Sequence, residues 1–210
     1  MPPPLHRPGP DALRPARHRW PLRLLLAAVL GGCGGGSALD NAATIANPDT
    51  AGGQTLSFAY FQRCVNPVLK TAQTITVNGA TTRNTCASGG CHDNATGTGG
   101  ALRLVGSAAD VSLADPPAQI RASDLYKNFY SSLGETVVGQ PDQSRLLNKP
   151  LVRGVLHGGG QIFASPDDSG ARLIRYWISR PLPQGQDEFG TAANSMFAGG
   201  DPVAGACLTQ

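Results

Sequence analysis

The chain has 210 residues, enough for one domain with flanking segments and too few for two large cores. Glycine (27) and proline (17) fill about a fifth of it and aromatic residues only 6%, which excludes a bundle of long helices, while 40% apolar and 15% charged residues exclude a chain too polar to fold. The formal charge of +3 is unevenly placed, because Arg7, Arg14, Arg17, Arg19 and Arg23 all precede residue 24.

These arginines form a basic n-region. Leu22, Leu24, Leu25, Leu26, Ala27, Ala28, Val29 and Leu30 follow as an apolar run too short to span roughly 30 Å of hydrocarbon and suited to a signal-peptide h-region. The run closes in Leu30-Gly31-Gly32-Cys33, which resembles the lipobox of bacterial lipoproteins. The resemblance implies a signal peptide over 1–32, a lipidated Cys33 at the mature N-terminus, anchorage to a lipid bilayer, and export to the outer membrane facing the periplasm. Removing 1–32 takes away five arginines and one aspartate, so the remaining chain carries a net −1. No basic stripe is left, and nucleic acid is not an expected partner. A simple secretory cleavage near Cys33 is the alternative. Residues 33–53 read as a flexible tether with a reach of about 25 Å.

The folded part is expected over 54–185. Phe58, Phe61, Val65 and Val68 or Leu69 recur at helical spacing from Leu56 to Thr71, Ser57 is placed to cap, and Pro67 should bend or shorten the last turn. Thr74 to Thr82 alternates around Asn78-Gly79, a hairpin signal. Cys86 and Cys91 then lie in C-A-S-G-G-C-H, ending on His92. An amphipathic helix follows over Asp124–Leu133 with Ser123 as cap, and Pro141 opens a short helical turn carrying Leu146 and Leu147. His157 stands before Gly158, Gly159 and Gly160, and the last helix runs from Asp168 to Arg180, with Leu173, Ile174, Trp177 and Ile178 on one face and Pro181 as its stop. Residues 186–210 read as a Gly/Ala-rich C-terminal tail of little order.

On the residues alone, Cys86 and Cys91 are open to three readings: haem attachment, a small-loop disulfide beside an exposed His92, or a zinc site of two thiolates and one or two imidazoles. The motif C-A-S-G-G-C-H resembles, in a wider C-x4-C-H spacing, the haem-attachment motif of the c-type cytochromes. The segments Y-F-Q-R-C-V-N-P-V-L, Q-P-D-Q-S-R-L-L-N-K-P, H-G-G-G and R-L-I-R-Y-W-I-S likewise resemble stretches of periplasmic class I cytochrome c-like domains of lipoproteins, over about Leu56 to Pro181. The resemblance implies a mainly α, cytochrome c-like fold with short helices, long Gly/Pro-rich loops and a small β-hairpin inserted before the haem motif. It implies one covalent haem c, anchored by Cys86 and Cys91, with His92 as the proximal iron ligand. His157 occupies the place of the distal ligand, usually Met; Met196 and an open distal position are the alternatives.

The implied function is one-electron transfer by a membrane-tethered monohaem cytochrome, with a redox partner protein that the sequence does not identify. Two other readings stay open: a haem protein whose open distal site binds or senses a ligand, and a non-haem structural lipoprotein module braced by a Cys86–Cys91 disulfide. Once Cys33 is assigned to lipid and Cys86 and Cys91 to the motif, Cys64 and Cys207 remain, either as a disulfide or as a buried thiol and a cysteine in the tail. No nucleophile–base order or phosphate loop stands out, so an enzyme is not expected.

Overall fold

The computed structural model describes residues 53–77 and 79–210. The expected signal peptide over 1–32, Cys33 and nearly all of the expected tether lie outside the described residues. Ser57 caps the first helix, its hydroxyl accepting from Tyr60 N at 3.0 Å. Helix α1 (Phe58–Tyr60) passes into a π segment, Phe61–Val65, and then into α2, Asn66–Lys70. Pro67 explains the widening: its ring has no N–H for the carbonyl of residue 63, and Asn66 N bonds instead to Phe61 O. The proline thus loosens the middle of the helix instead of ending it.

Strands β1 (Gln73–Val77) and β2 (Ala80–Asn84) pair antiparallel, with Gln73 opposite Asn84 and Val77 opposite Ala80. Residues 85–116 contain no helix. Helix α3 (Pro117–Arg121) leads into α4 (Asp124–Leu133), where Ser123 Oγ accepts from Tyr126 N at 3.1 Å. A 3-10 turn, Pro141–Gln143, precedes α5 (Arg145–Leu151), and α6 spans Ser169–Ile178 with Asp168 as its cap. Val152 terminates α5 in the left-handed region at φ 53°, an uncommon place for a β-branched residue, and turns the chain toward His157.

The expectation of a mainly α fold is corrected here. The structure is only 37% helical, and the described residues form one two-stranded antiparallel sheet. Of the helices just named, only α4 and α6 reach ten residues, because proline starts or interrupts α2, α3 and α5 and the Gly-rich stretch after β2 satisfies its backbone through turns.

One apolar core joins these pieces. Trp177 of α6 is fully buried 5.3 Å from the Phe61 ring, and its Nε1 donates to Ser57 O at 2.9 Å. Burying a side chain of this kind stabilises by about 1.5–3 kcal/mol. Phe129 of α4 meets Phe58 and Phe61 edge-on at 5.5 Å. A buried amide pair links α2 and α4: Asn128 Nδ2 donates to Asn66 Oδ1 and to Val105 O, and Asn128 Oδ1 accepts from Val105 N.

Residues 186–210 are packed, unlike the loose tail the composition suggested. Phe58 N donates to Glu188 O, Phe197 pairs with Cys207 across a short bridge, and Cys207 forms a disulfide with Cys64. Tyr60 Oη and Arg63 donate to the carbonyls of Leu208 and Val203. Two 3-10 turns, Thr191–Met196 and Ala198–Gly200, carry Met196 and Phe197 into the core. Among the described residues no helix is long and apolar enough to cross a membrane.

Candidate cofactor site

The motif begins one residue after β2. Ser88 N and Oγ both donate to Thr85 O, Cys91 N returns to Ser88 O at 2.9 Å, and His92 N reaches Cys86 O at 2.9 Å. The four residues between the cysteines are thereby folded into a tight loop. Beyond it, Asp93 Oδ1 accepts from Ala95 N, Thr96 N and Thr96 Oγ1, which holds its carboxyl below the usual carboxylate range and fixes the next turn. Gly99 N donates to Cys91 O and Leu104 N to His92 O, both at 2.7 Å. Gly99 is required by contact. A Cβ there would lie 2.5 Å from His92 Nδ1 and Cε1.

Four of the residues singled out from the sequence, Cys86, Cys91, His92 and His157, line one cavity of about 390 Å³, within the range of about 300–1,000 Å³ typical of small-molecule and cofactor sites. Its apolar wall includes Leu69, Ile75, Leu102, Leu146, Phe163 and Ile174. Both cysteines are free thiols and half-buried. Burial, and then the neighbouring Cys91, push the Cys86 thiol up to about 11, so it is an uncharged S–H at neutral pH. Met196 is buried in the core and is not among the cavity's lining residues.

The two imidazoles face the same space. His92 and His157 have ring centroids 6.2 Å apart and planes inclined by only 8°. His92 Nδ1 lies 3.2 Å from Leu102 O, and His157 Nδ1 lies 2.7 Å from Gly160 O. A carbonyl oxygen only accepts, so each Nδ1 carries a proton and donates, and in the neutral ring this leaves the lone pair on Nε2. Burial holds the His92 pKa below the ordinary histidine value, against the Leu102 carbonyl, which raises it; the nearby His157 adds to the lowering. Gly160, at φ 73°, closes the His157 loop by returning its own N–H to His157 O at 2.9 Å.

These features test whether a haem suits the residues present. The two near-parallel imidazoles, 6.2 Å apart between ring centroids, line one cavity, so both are within reach of a single bound group. Two thiols line the same cavity, as covalent attachment of a macrocycle would require. The donor set and the apolar wall fit the group. A closed zinc cage fits less well, since among the described residues no three or more His, Cys, Asp or Glu side chains gather to hold an ion.

Sequence reading did not single out Gly99, the carbonyls of Leu102 and Gly160, or the charged wall residues Glu135, Arg145 and Lys149. Main-chain acceptors leave no trace in residue type, and on the turn that carries Arg145 and Lys149 the sequence pattern singles out only Leu146 and Leu147. Compared with known proteins, the chain matches no family model, no curated protein and no solved structure.

Proposed function

We propose that this chain is a c-type haem protein that carries one electron at a time, exported and tethered to a bilayer, most simply the outer membrane on its periplasmic side, through lipidated Cys33. The observation that carries the reading is the pair of near-parallel imidazoles, each with its Nδ1–H tied to a carbonyl and its Nε2 free, above two free cysteines on one apolar cavity. Bound haem c would supply a reversible one-electron change at iron. Cys86 and Cys91 would hold it covalently, and His92 would be proximal because the adjacent Cys91 fixes its place. His157 would fill the distal position.

The chain's residues then do three things. They orient both imidazoles through backbone acceptors, which raises ligand basicity. They exclude water with an aliphatic and aromatic wall, which favours fast electron exchange over chemistry at an open site. Both His92 and His157 would hold the group, and this supports a carrier more than an enzyme or a sensor. The redox partner protein is unspecified, because a net charge of −1 on the processed chain gives no steering preference.

The test is a reduced pyridine haemochrome spectrum of protein made with cytochrome c maturation factors, then denatured and extracted with acidified solvent. An α-band of the c type that stays with the polypeptide is the expected result. Haem that extracts freely, or none at all, overturns the reading. His157→Ala should convert a six-coordinate low-spin spectrum to high-spin while the haem stays attached. An unchanged low-spin spectrum would remove His157 from the iron.

A further inference from the structure

Among the residues lining the cavity, the formally charged side chains other than the histidines are three: Glu135, Arg145 and Lys149. Arg145 and Lys149 are four residues apart in α5 and so share one face of it. Glu135 is tied to the same helix, since Leu146 N donates to Glu135 O at 2.9 Å, and its carboxylate lies 3.8 Å from Arg145 Nε. That separation is too long for a hydrogen bond, and the remaining guanidinium nitrogens have no acceptor among the described residues. Lys149 is half-buried and forms no ion pair among the described residues. The corner holds two cations and one anion, with the ammonium uncompensated beside an apolar wall. A corner with this excess of positive charge attracts an anionic group that enters the cavity. The position is also fixed relative to His157, because Pro150 O accepts from Ile162 N and Phe163 N just after the His157 loop.

We infer that Arg145 and Lys149 form a carboxylate-holding corner of the cavity, which receives the two acid side chains on the edge of a bound tetrapyrrole and so sets which way round it enters. The inference rests on the haem reading above. Arg145 offers a forked donor and Lys149 a point charge, so the two carboxylates meet different partners. The Arg145 side chain is 63% exposed and keeps the rest of its fork free, and the charge of Glu135 disfavours an acid group on its side of the corner.

The full chain, produced without maturation factors and kept reduced, is titrated in dilute detergent with iron protoporphyrin IX and with its dimethyl ester, in which both carboxylates are blocked. The native chain should bind the free acid at least about tenfold more tightly than the ester. In Arg145→Gln with Lys149→Met that ratio should fall to about one. The charge-conserving pair Arg145→Lys with Lys149→Arg should retain it. Equal binding of acid and ester by the native chain overturns the corner while leaving a porphyrin site intact. A preference that survives in the neutralised variant, or is lost in the charge-conserving one, also overturns it. Binding of neither porphyrin would overturn the haem reading itself.

Discussion

Gly99→Ala is the substitution for which the geometry gives the sharpest expectation. The new Cβ would stand 2.5 Å from two ring atoms of His92 and 2.7 Å from Cys91 O, whereas carbon contacts are optimal near 3.5–4.0 Å. The ring must therefore move by about 1 Å, since Cys91 O is held by the turn. His92 Nδ1 already lies 3.2 Å from Leu102 O, and such a shift breaks that bond. Overpacking costs about 1–3 kcal/mol and the lost hydrogen bond about 1 kcal/mol more, for a total of about 2–4 kcal/mol. At about 2–4 °C per kcal/mol, the melting temperature should fall by roughly 4–16 °C. Gly90→Ala is the reference, because nothing lies within 4 Å of its added Cβ, and it should stay within about 0.5 kcal/mol of the native chain or gain slightly. Thermal unfolding followed by near-ultraviolet circular dichroism measures both, and haem per chain after maturation gives a second readout, expected to fall only for Gly99→Ala. If the two variants melt and load alike, His92 is not held as described.

Two further outcomes are expected. Replacing both Cys64 and Cys207 by Ser releases a loop closed over a sequence separation of 143, and the chain-entropy relation puts the loss at about 5 kcal/mol as an upper figure; in guanidinium unfolding, reductant should lower the native midpoint toward that of the variant and leave the variant unmoved. Glu188 accepts from Arg121 Nε and Tyr126 Oη, both at 2.8 Å; burial raises its pKa, but these bonds prevail and hold it below the ordinary 4.5. Its contribution is therefore present above pH 4.5 and lost as pH falls through the lowered value. Glu188→Gln should flatten the acid limb of the stability curve below pH 4.5, and an unchanged limb would show that Glu188 does not titrate with unfolding.

The parts of the fold that were legible are those where local pattern and tertiary need agree. Leu125, Phe129 and the rest of α4, and Ile174 and Trp177 of α6, combine a 3.6-residue period with a capping Ser or Asp, and their helices start where the caps lie. The π segment was not legible, because Pro67 signals a break and only the packing of Phe61 and Cys64 against α6 and the C-terminal segment explains why the helix continues. The C-terminal segment misled for a similar reason: its glycines and alanines lack local preference, and its order comes from Cys64, Tyr60 and Arg63, far away in sequence. The mainly α expectation failed because the resemblance supplied a helix content that this proline and glycine distribution cannot sustain. Within the site, Cys86, Cys91, His92 and His157 stood out by residue type. What orients them did not, being carbonyls and one close glycine contact.

The bond between Cys64 and Cys207 also makes a topological ring, and every residue of the cavity wall, from Leu69 to Ile174, lies inside it. Cys207 is the last cysteine of the sequence to be synthesised, so this ring cannot close until the motif and both imidazoles have left the ribosome. The order of assembly is thus written into the chain: an open, accessible strand bearing Cys86 and Cys91 exists first, and the covalent lock on the surrounding fold comes after. Until that closure Cys64 has Cys86 and Cys91 as its other possible partners in the described chain, and pairing with either would misplace the cavity wall.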